Sequence, residues 1–377
     1  MHKTILYLVS EDWYFLSHRL SLALEAKKNG YFVHVACKDT GKLNEIKNYG
    51  FVCHKLMSNK RSTSLKNIIK EIINIRYIVK SINPSIFHLI AFRSILLGLF
   101  CVAFNKKINI IATITGLGSV FLSKNIKIQF LKFIITFFLM MSLKKNNIKL
   151  IVQNKDDYNF CLNTLKCNFK KVFLIRGSGV DINHFSFQPE PPHPPIVIAF
   201  VGRLIKDKGI EVLLDAFEYA SKNNNIRLYL AGSIDHLNPS AITEDYLKNK
   251  LIQNKNIIWL GEVKDIKSLW KKSHIAVLPS RREGLPMSLL EAAASGKAII
   301  ATDVPGCREI AINNINAITV PLDNTIKLTE AIIYLSKNNE IRKRFGLKSR
   351  EIVEKDMSEN FIINKTISIY KNLYIKA

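Results

Sequence analysis

Two runs in the second half of the chain place residue types that could do chemistry at chemically useful spacing. In residues 200–210 (FVGRLIKDKGI) an apolar run ends at Gly202, and two separated cations, Arg203 and Lys208, follow before a helix begins near Gly209. A glycine at a strand end lets another group approach the backbone closely. Arg203 at the strand end and Lys208 in the loop can converge on a diphosphate, which arginine grips as a fork and lysine as a point charge. In residues 279–296 (PSRREGLPMSLLEAAASG) Gly284 and Pro286 turn the chain after an apolar strand, and a helix begins near Pro286, a residue favoured at a helix start. Amides at such a start suit phosphate or sugar oxygens. Glu283 and Glu291, with seven residues between them, put one carboxylate on the loop and the other early in the helix, as acceptors for a sugar ring and a ribose. The competing reading is plainer: solvated cations flanking a turn, Glu283 complementing a helix dipole and Glu291 in a surface pair.

The elements that must position these residues are legible as alternating strands and helices. Residues 4–10 read as a strand, 15–28 as a helix closed by Asn29-Gly30, and 31–37 as a second strand, which together make a βαβ unit. Further strands read at 86–90, 108–115, 150–153 and 171–175. The alternation restarts at 196–201, followed by a helix at 209–223 and strands at 227–231, 257–260, 275–278, 298–301 and 317–320. Residues 188–195 (QPEPPHPP) hold five prolines and read as a linker. The expectation is an α/β protein of two Rossmann-like, doubly wound parallel-sheet domains, residues 1–187 and 196–357, whose strand carboxyl ends face a cleft. A helical tail at 358–377 is expected to pack back on the first domain.

With 377 residues the chain has enough interior for two domains. Its formal charge of +25 is uneven: residues 1–190 carry 28 Lys and Arg against 10 Asp and Glu. Such a surface suits nucleic acid, an anionic membrane face or a phosphorylated ligand. No recognised nucleic-acid module accompanies the charge, so nucleic acid is not expected as a partner. The six cysteines are scattered, without a CxxC pair, and read as reduced core thiols. The N-terminal apolar run is too short for a signal peptide, which points to the cytoplasm. Residues 126–143 (IKIQFLKFIITFFLMMSL) have too short an uninterrupted apolar core to cross a bilayer. They fit equally an amphipathic helix in the membrane interface and a buried core helix. A dinucleotide-dependent dehydrogenase is disfavoured, because GLGSVF lies far from the first βα turn and has no acidic residue about twenty positions on.

The two runs, with LGEVKDIKSLWKKSHIAVLPS before the second and KAIIATDVPGCREI after it, resemble the signature of glycosyltransferase family 4, the group-1 glycosyltransferases of the GT-B fold. The resemblance implies that Arg203 and Lys208 hold the donor diphosphate and that Gly202 sits beside it. It also implies that Glu291 accepts from the ribose and that Glu283 contacts the donor sugar with backbone help from Gly284, Leu285 and Pro286. Gly261, Glu262 and Val263 would lie near the base. It implies a retaining enzyme with no cofactor beyond the nucleotide-sugar donor and no metal, so Asp156-Asp157 reads as a helix start. The first half resembles bacterial cell-surface polysaccharide transferases through FLSHRLSLALEAKKNGYFVHVAC and ITGLGSVF. Phe15 and His18 would then face the cleft, His18 as a candidate base or acceptor contact. Gly116 and Gly118 would let the backbone approach the ligand beside Thr115, which stands where many relatives have histidine. His88 and Arg93 are further candidates to line the cleft, with a packed core histidine as the alternative for His88. The implied reaction moves an N-acetylhexosamine or hexose from a UDP-sugar to a polyprenyl-diphosphate-linked saccharide in O-antigen or capsule assembly, at the inner face of the cytoplasmic membrane. The enzymatic alternative is a sugar-nucleotide epimerase.

Overall fold

A computed structural model describes residues 3–57, 64–102, 105, 107–116, 126–236 and 238–373. The chain divides into two compact units, one of residues 1–178 and 362–377, the other of 179–361.

In the first unit the strands are β1 (Thr4–Glu11), β2 (Phe32–Lys38), β3 (Val52–Lys55), β4 (Ile86–Ile90), β5 (Asn109–Ile114), β6 (Ile148–Val152) and β7 (Val172–Leu174). They form a parallel sheet in the order β3-β2-β1-β4-β5-β6-β7. Its helices are α1 (Asp12–His18), α2 (Leu20–Lys28), α3 (Leu43–Asn48), α4 (Leu65–Ile82), α5 (Phe92–Cys101), α6 (Ile126–Leu143) and α7 (Lys155–Asn163). The central strand β4 is buried at all five positions, as expected where helices cover both faces of a parallel sheet. The helix read at 15–28 breaks at Arg19, whose φ of −132° is not helical, so α1 starts directly after β1 and α2 runs separately. β3 and α3 escape the sequence pattern because both are short and half-exposed. Residues 156 and 157 lie in the first turn of α7, capped by the Asn154 side chain, which accepts from the Asp157 amide at 2.8 Å.

α6 divides its apolar residues. Leu139 and Leu143 are buried in the core, while Phe133, Ile134, Phe137 and Met141 are exposed. Among the described residues no helix is long and apolar enough to cross a membrane.

The second unit contains β8 (Ile196–Val201), β9 (Ile226–Ala231), β10 (Ile257–Gly261), β11 (Ile275–Leu278), β12 (Ala298–Thr302) and β13 (Ala317–Val320). Their order is β10-β9-β8-β11-β12-β13, all parallel. The helices are α8 (Ile210–Ser221), α9 (Glu244–Gln253), α10 (Ile266–Lys271), α11 (Met287–Ala294), α12 (Pro305–Arg308), α13 (Thr325–Lys337) and α14 (Asn339–Asp356), followed by α15 (Glu359–Asn372), of which only the first turn lies in this unit. Both sheets reverse winding direction once, between β1 and β4 and between β8 and β11. In a doubly wound sheet that reversal marks the place where loops separate and a ligand fits.

The proline-rich run 188–195, expected as a linker, packs on the second unit. The Arg342 guanidinium, 1% exposed, grips Glu190 at 2.9 Å, and the nearly buried Lys297 donates to the Gln188 carbonyl at 3.2 Å. Prolines stop helix and strand without making a segment independent of its neighbours, and here side chains anchor it. The unit boundary falls earlier, between Ser178 and Gly179. From Ile362 onward α15 belongs to the first unit, where the Tyr370 hydroxyl meets His88 Nδ1 at 2.7 Å.

Candidate functional site

At the winding reversal of the second unit, the loops leaving β8 and β11 come side by side. The first carries Arg203 and Lys208, the second Glu283. Gly209 makes the closeness possible: it adopts φ +71°, and a Cβ there would stand 2.0 Å from the Pro279 carbonyl oxygen. A side chain at 209 would push the Lys208 loop off the β11 loop. Gly306, in α12, supports the other side, since a Cβ on it would approach the Gly284 carbonyl oxygen to 2.5 Å.

The result is a set of charge pairs. Lys208 Nζ donates to Glu283 Oε1 at 2.5 Å, with the two side chains 22% and 9% exposed. Arg203 Nη1 donates to Asp235 Oδ2 at 2.9 Å, Arg282 pairs with Asp207 at 2.7 Å, and Arg281 with Asp323 at 2.8 Å. The Arg281 amide donates to the Asp207 carbonyl, tying the two loops together. Each cation is held by a carboxylate from another loop, which orients it at the sheet's carboxyl edge. An incoming diphosphate would have to compete with those carboxylates.

Behind these loops the backbone is stacked tightly. The Gly232 amide donates to the Gly261 carbonyl at 2.6 Å, and the Gly202 amide donates to the Ala231 carbonyl at 2.9 Å. A Cβ on Gly232 would meet the Gly202 carbonyl oxygen at 1.9 Å. Trp259 closes the stack by donating its indole N–H to the Gly232 carbonyl at 2.8 Å. Gly202 thus follows β8, while Gly261, Glu262 and Val263 stand at the end of β10, on the other side of β9 in the same sheet. Glu262 is exposed, while Val263 and Leu285 pack partly into the core.

Pro286 occupies the N-cap of α11, one residue before the helix itself. Glu291 lies within α11, and burial pushes its carboxyl up to about 7. A carboxyl held near neutrality accepts or donates a hydrogen bond to a hydroxyl at small electrostatic cost. Asp235, Asp207 and Trp259 were not singled out in the sequence, where loop acids and one strand tryptophan have no distinguishing pattern.

The first unit holds the remaining candidates. Phe15, expected to face the cleft, is fully buried and packs edge-on against Tyr7 and Phe51. α1 starts three residues earlier than the pattern suggested, which turns Phe15 into the core. His18 is half-buried and stacks on Tyr14, with ring centroids 4.4 Å apart and planes within 8°. Burial, aided by the adjacent Arg19 charge, lowers its pKa to about 4. His88 is a core residue, bonded to Tyr370 and to the Thr113 hydroxyl at 2.7 Å each. Arg93 pairs with Glu71 at 2.5 Å. Thr115 and Gly116 follow β5, Gly116 at φ +129°. Gly118 lies outside the described residues. Among the described residues no group of three or more His, Cys, Asp or Glu is placed to hold a metal ion.

Two family models match the chain. "Glycosyl transferases group 1" matches residues 181–352, and "Glycosyl transferase 4-like" matches residues 4–155. A capsular polysaccharide biosynthesis glycosyltransferase, CapM of Staphylococcus aureus, is 32% identical over 181 residues, 48% of this chain and 47% of that protein. The chain thus spans about half the length of that relative. An N,N'-diacetylbacillosaminyl-diphospho-undecaprenol alpha-1,3-N-acetylgalactosaminyltransferase of Campylobacter jejuni is 25% identical over 363 residues, 92% of each chain. Among solved structures, a sucrose-phosphate synthase of Thermosynechococcus elongatus superposes with a TM-score of 0.83 over the whole of both chains at 16% identity. Both matching models are of transferases, and nothing in them favours the epimerase alternative.

Proposed function

We propose, starting from the fact that the chain belongs to the group 1 glycosyltransferases and has the GT-B fold, that it moves a sugar from a UDP-sugar to a saccharide on a polyprenyl diphosphate with retention of anomeric configuration. The observation that carries this reading is the Lys208–Glu283 pair at the winding reversal, flanked by Arg203 and by Glu291 in α11. On arrival of the donor, its diphosphate takes Lys208 and Arg203 from their carboxylates. The two cations then neutralise the charge that develops on the departing nucleotide. Glu283, released, accepts from a hydroxyl of the donor sugar, and Glu291 from the ribose. The acceptor class is supported by the Campylobacter relative, whose name specifies a diphospho-undecaprenol acceptor, and a capsule setting by the staphylococcal one. An N-acetylhexosamine or hexose is the sugar we read from this likeness. His18 is read as an acceptor-side contact, with Gly116 in the same unit.

Such an acceptor sits in a bilayer, and the first unit is suited to its surface. α4 exposes Ile69, Ile73 and Tyr77, one per turn, among exposed Lys66, Lys70, Arg76 and Lys80. α6 exposes Phe133, Ile134, Phe137 and Met141. No acidic residue occurs between Glu71 and Asp156. Apolar side chains among lysines and arginines match an anionic headgroup layer. We therefore read the protein as peripheral on the inner face of the cytoplasmic membrane.

The test offers a panel of nucleotide sugars with a lipid-diphosphate saccharide and measures nucleotide release. UDP-sugar turnover is expected in the wild type, with a loss of more than about 100-fold in Lys208→Ala and an unchanged circular dichroism spectrum. Wild-type turnover in that variant would remove the phosphate clamp.

A further inference from the structure

Arg19 joins α1 to α2, and only 4% of it is exposed. Its Nε and Nη2 are buried and have no hydrogen-bond partner among the described residues. Those two atoms form one edge of the guanidinium, where parallel N–H bonds match two oxygens of a single oxyanion. A buried charge left without a counter-charge is strongly disfavoured.

The groups that feel the Arg19 charge are Tyr7, His18, His88 and Tyr370. None of them is negative at neutral pH: burial raises both tyrosines and lowers both histidines. Three of them are engaged with one another, Tyr7 Oη with Tyr370 Oη at 3.1 Å and Tyr370 Oη with His88 Nδ1 at 2.7 Å. The chain ends at Thr113 through His88 Nε2. Asp12, the acid of α1, accepts instead from the amides of Trp13, Thr40 and Lys42 and from the Thr40 hydroxyl. His18, beside Arg19, shares a hydrogen bond with the Ser17 hydroxyl through Nδ1 at 2.6 Å.

We propose that Arg19, through its paired Nε and Nη2 donors, anchors a phosphoryl-oxyanion site in the first unit, separate from the donor contacts at Arg203 and Lys208. The oxyanion belongs either to free phosphate or to the diphosphate of a prenyl carrier. The second identity rests on the function proposed above, whereas the site itself does not.

The test titrates the full-length protein with inorganic pyrophosphate and, separately, with farnesyl diphosphate, without donor, by calorimetry. Salt at about 0.15 M limits the reach of exposed lysines to about 8 Å. Both Arg19→Gln and Arg19→Lys are expected to weaken binding about tenfold or more, because lysine keeps the charge and loses the fork. The surface variant Lys28→Gln, at an exposed lysine of the same unit, is expected to bind as the wild type does. Tighter binding of farnesyl diphosphate supports the site with a carrier as its occupant, and equal binding supports it with the oxyanion alone. Wild-type affinity for pyrophosphate in Arg19→Lys would overturn the proposal. Should the variants fail to fold, the wild type decides. A slowly exchanging arginine Nε–H resonance is expected to shift on saturation with pyrophosphate, and an unmoved spectrum overturns the site. Because no sugar transfer is measured, a failed transfer assay and a failed Arg19 site remain distinguishable.

Discussion

The two units share a sheet design yet treat their inward cations in opposite ways. In the second unit Lys208, Arg203, Arg281 and Arg282 each hold a carboxylate from another loop. In the first, Arg19 is more deeply buried than any of these four and has no carboxylate partner among the described residues. The first arrangement stabilises the empty protein and must be undone by a ligand. The second leaves the empty protein with an uncompensated charge that a ligand would relieve.

The contrast is open to direct attack. The largest effect is expected from Lys208→Met, which strands Glu283 in a site where it is only 9% exposed: thermal denaturation should show a loss of about 2 kcal/mol, short of the full figure for buried pairs because Lys208 keeps some solvent. An unchanged melting temperature would mean that the pair contributes nothing to the empty protein.

Glu291 gives a comparable effect with a pH signature. Its folded-state pKa of about 7 lies above the usual carboxyl value, so the folded state holds its proton while the unfolded state loses it as pH rises past the ordinary range. Stability therefore falls between about pH 4.5 and 7 on account of this group. Glu291→Gln should remove that fall, gaining about 2 kcal/mol at pH 8 and almost nothing at pH 4, by denaturant unfolding at both pH values. The same variant should bind donor more weakly if the carboxylate accepts from ribose.

The smallest effect sharpens the comparison most. Arg19→Met, similar in volume and uncharged, should stabilise the empty protein by about 1 kcal/mol in urea unfolding, opposite in sign to Lys208→Met. A destabilisation of the same size would mean that the guanidinium is already compensated.

These differences also mark what could be read from the residues. Apolar runs bounded by turns located the central strands of both sheets, because buried parallel strands are apolar throughout. The loops after β8 and β11 were legible because glycine, cations and carboxylates stand there at fixed spacing. Arg19 was not, since a single arginine in FLSHRLSLAL looks like a solvated side chain on a helix. Its burial follows from the break between α1 and α2 and from Tyr370, contributed 351 positions later. Phe15 was misplaced for a related reason: helix phase cannot be fixed without knowing that α1 begins directly on β1. The pairing of Lys208 with Glu283 joins residues 75 positions apart and depends on sheet order, which local periodicity does not encode.

The return of α15 to the first unit has a consequence for biosynthesis. Residues 3–178 emerge from the ribosome long before residue 370, yet Tyr7 and His88 Nδ1 receive the Tyr370 hydroxyl only from α15. The second unit, residues 179–361, is continuous in sequence and needs nothing from α15 beyond its first turn. The first is incomplete until α15 has been made, so a stop codon introduced a few residues before Tyr370 should leave an N-terminal half that chaperones and proteases recognise as unfinished.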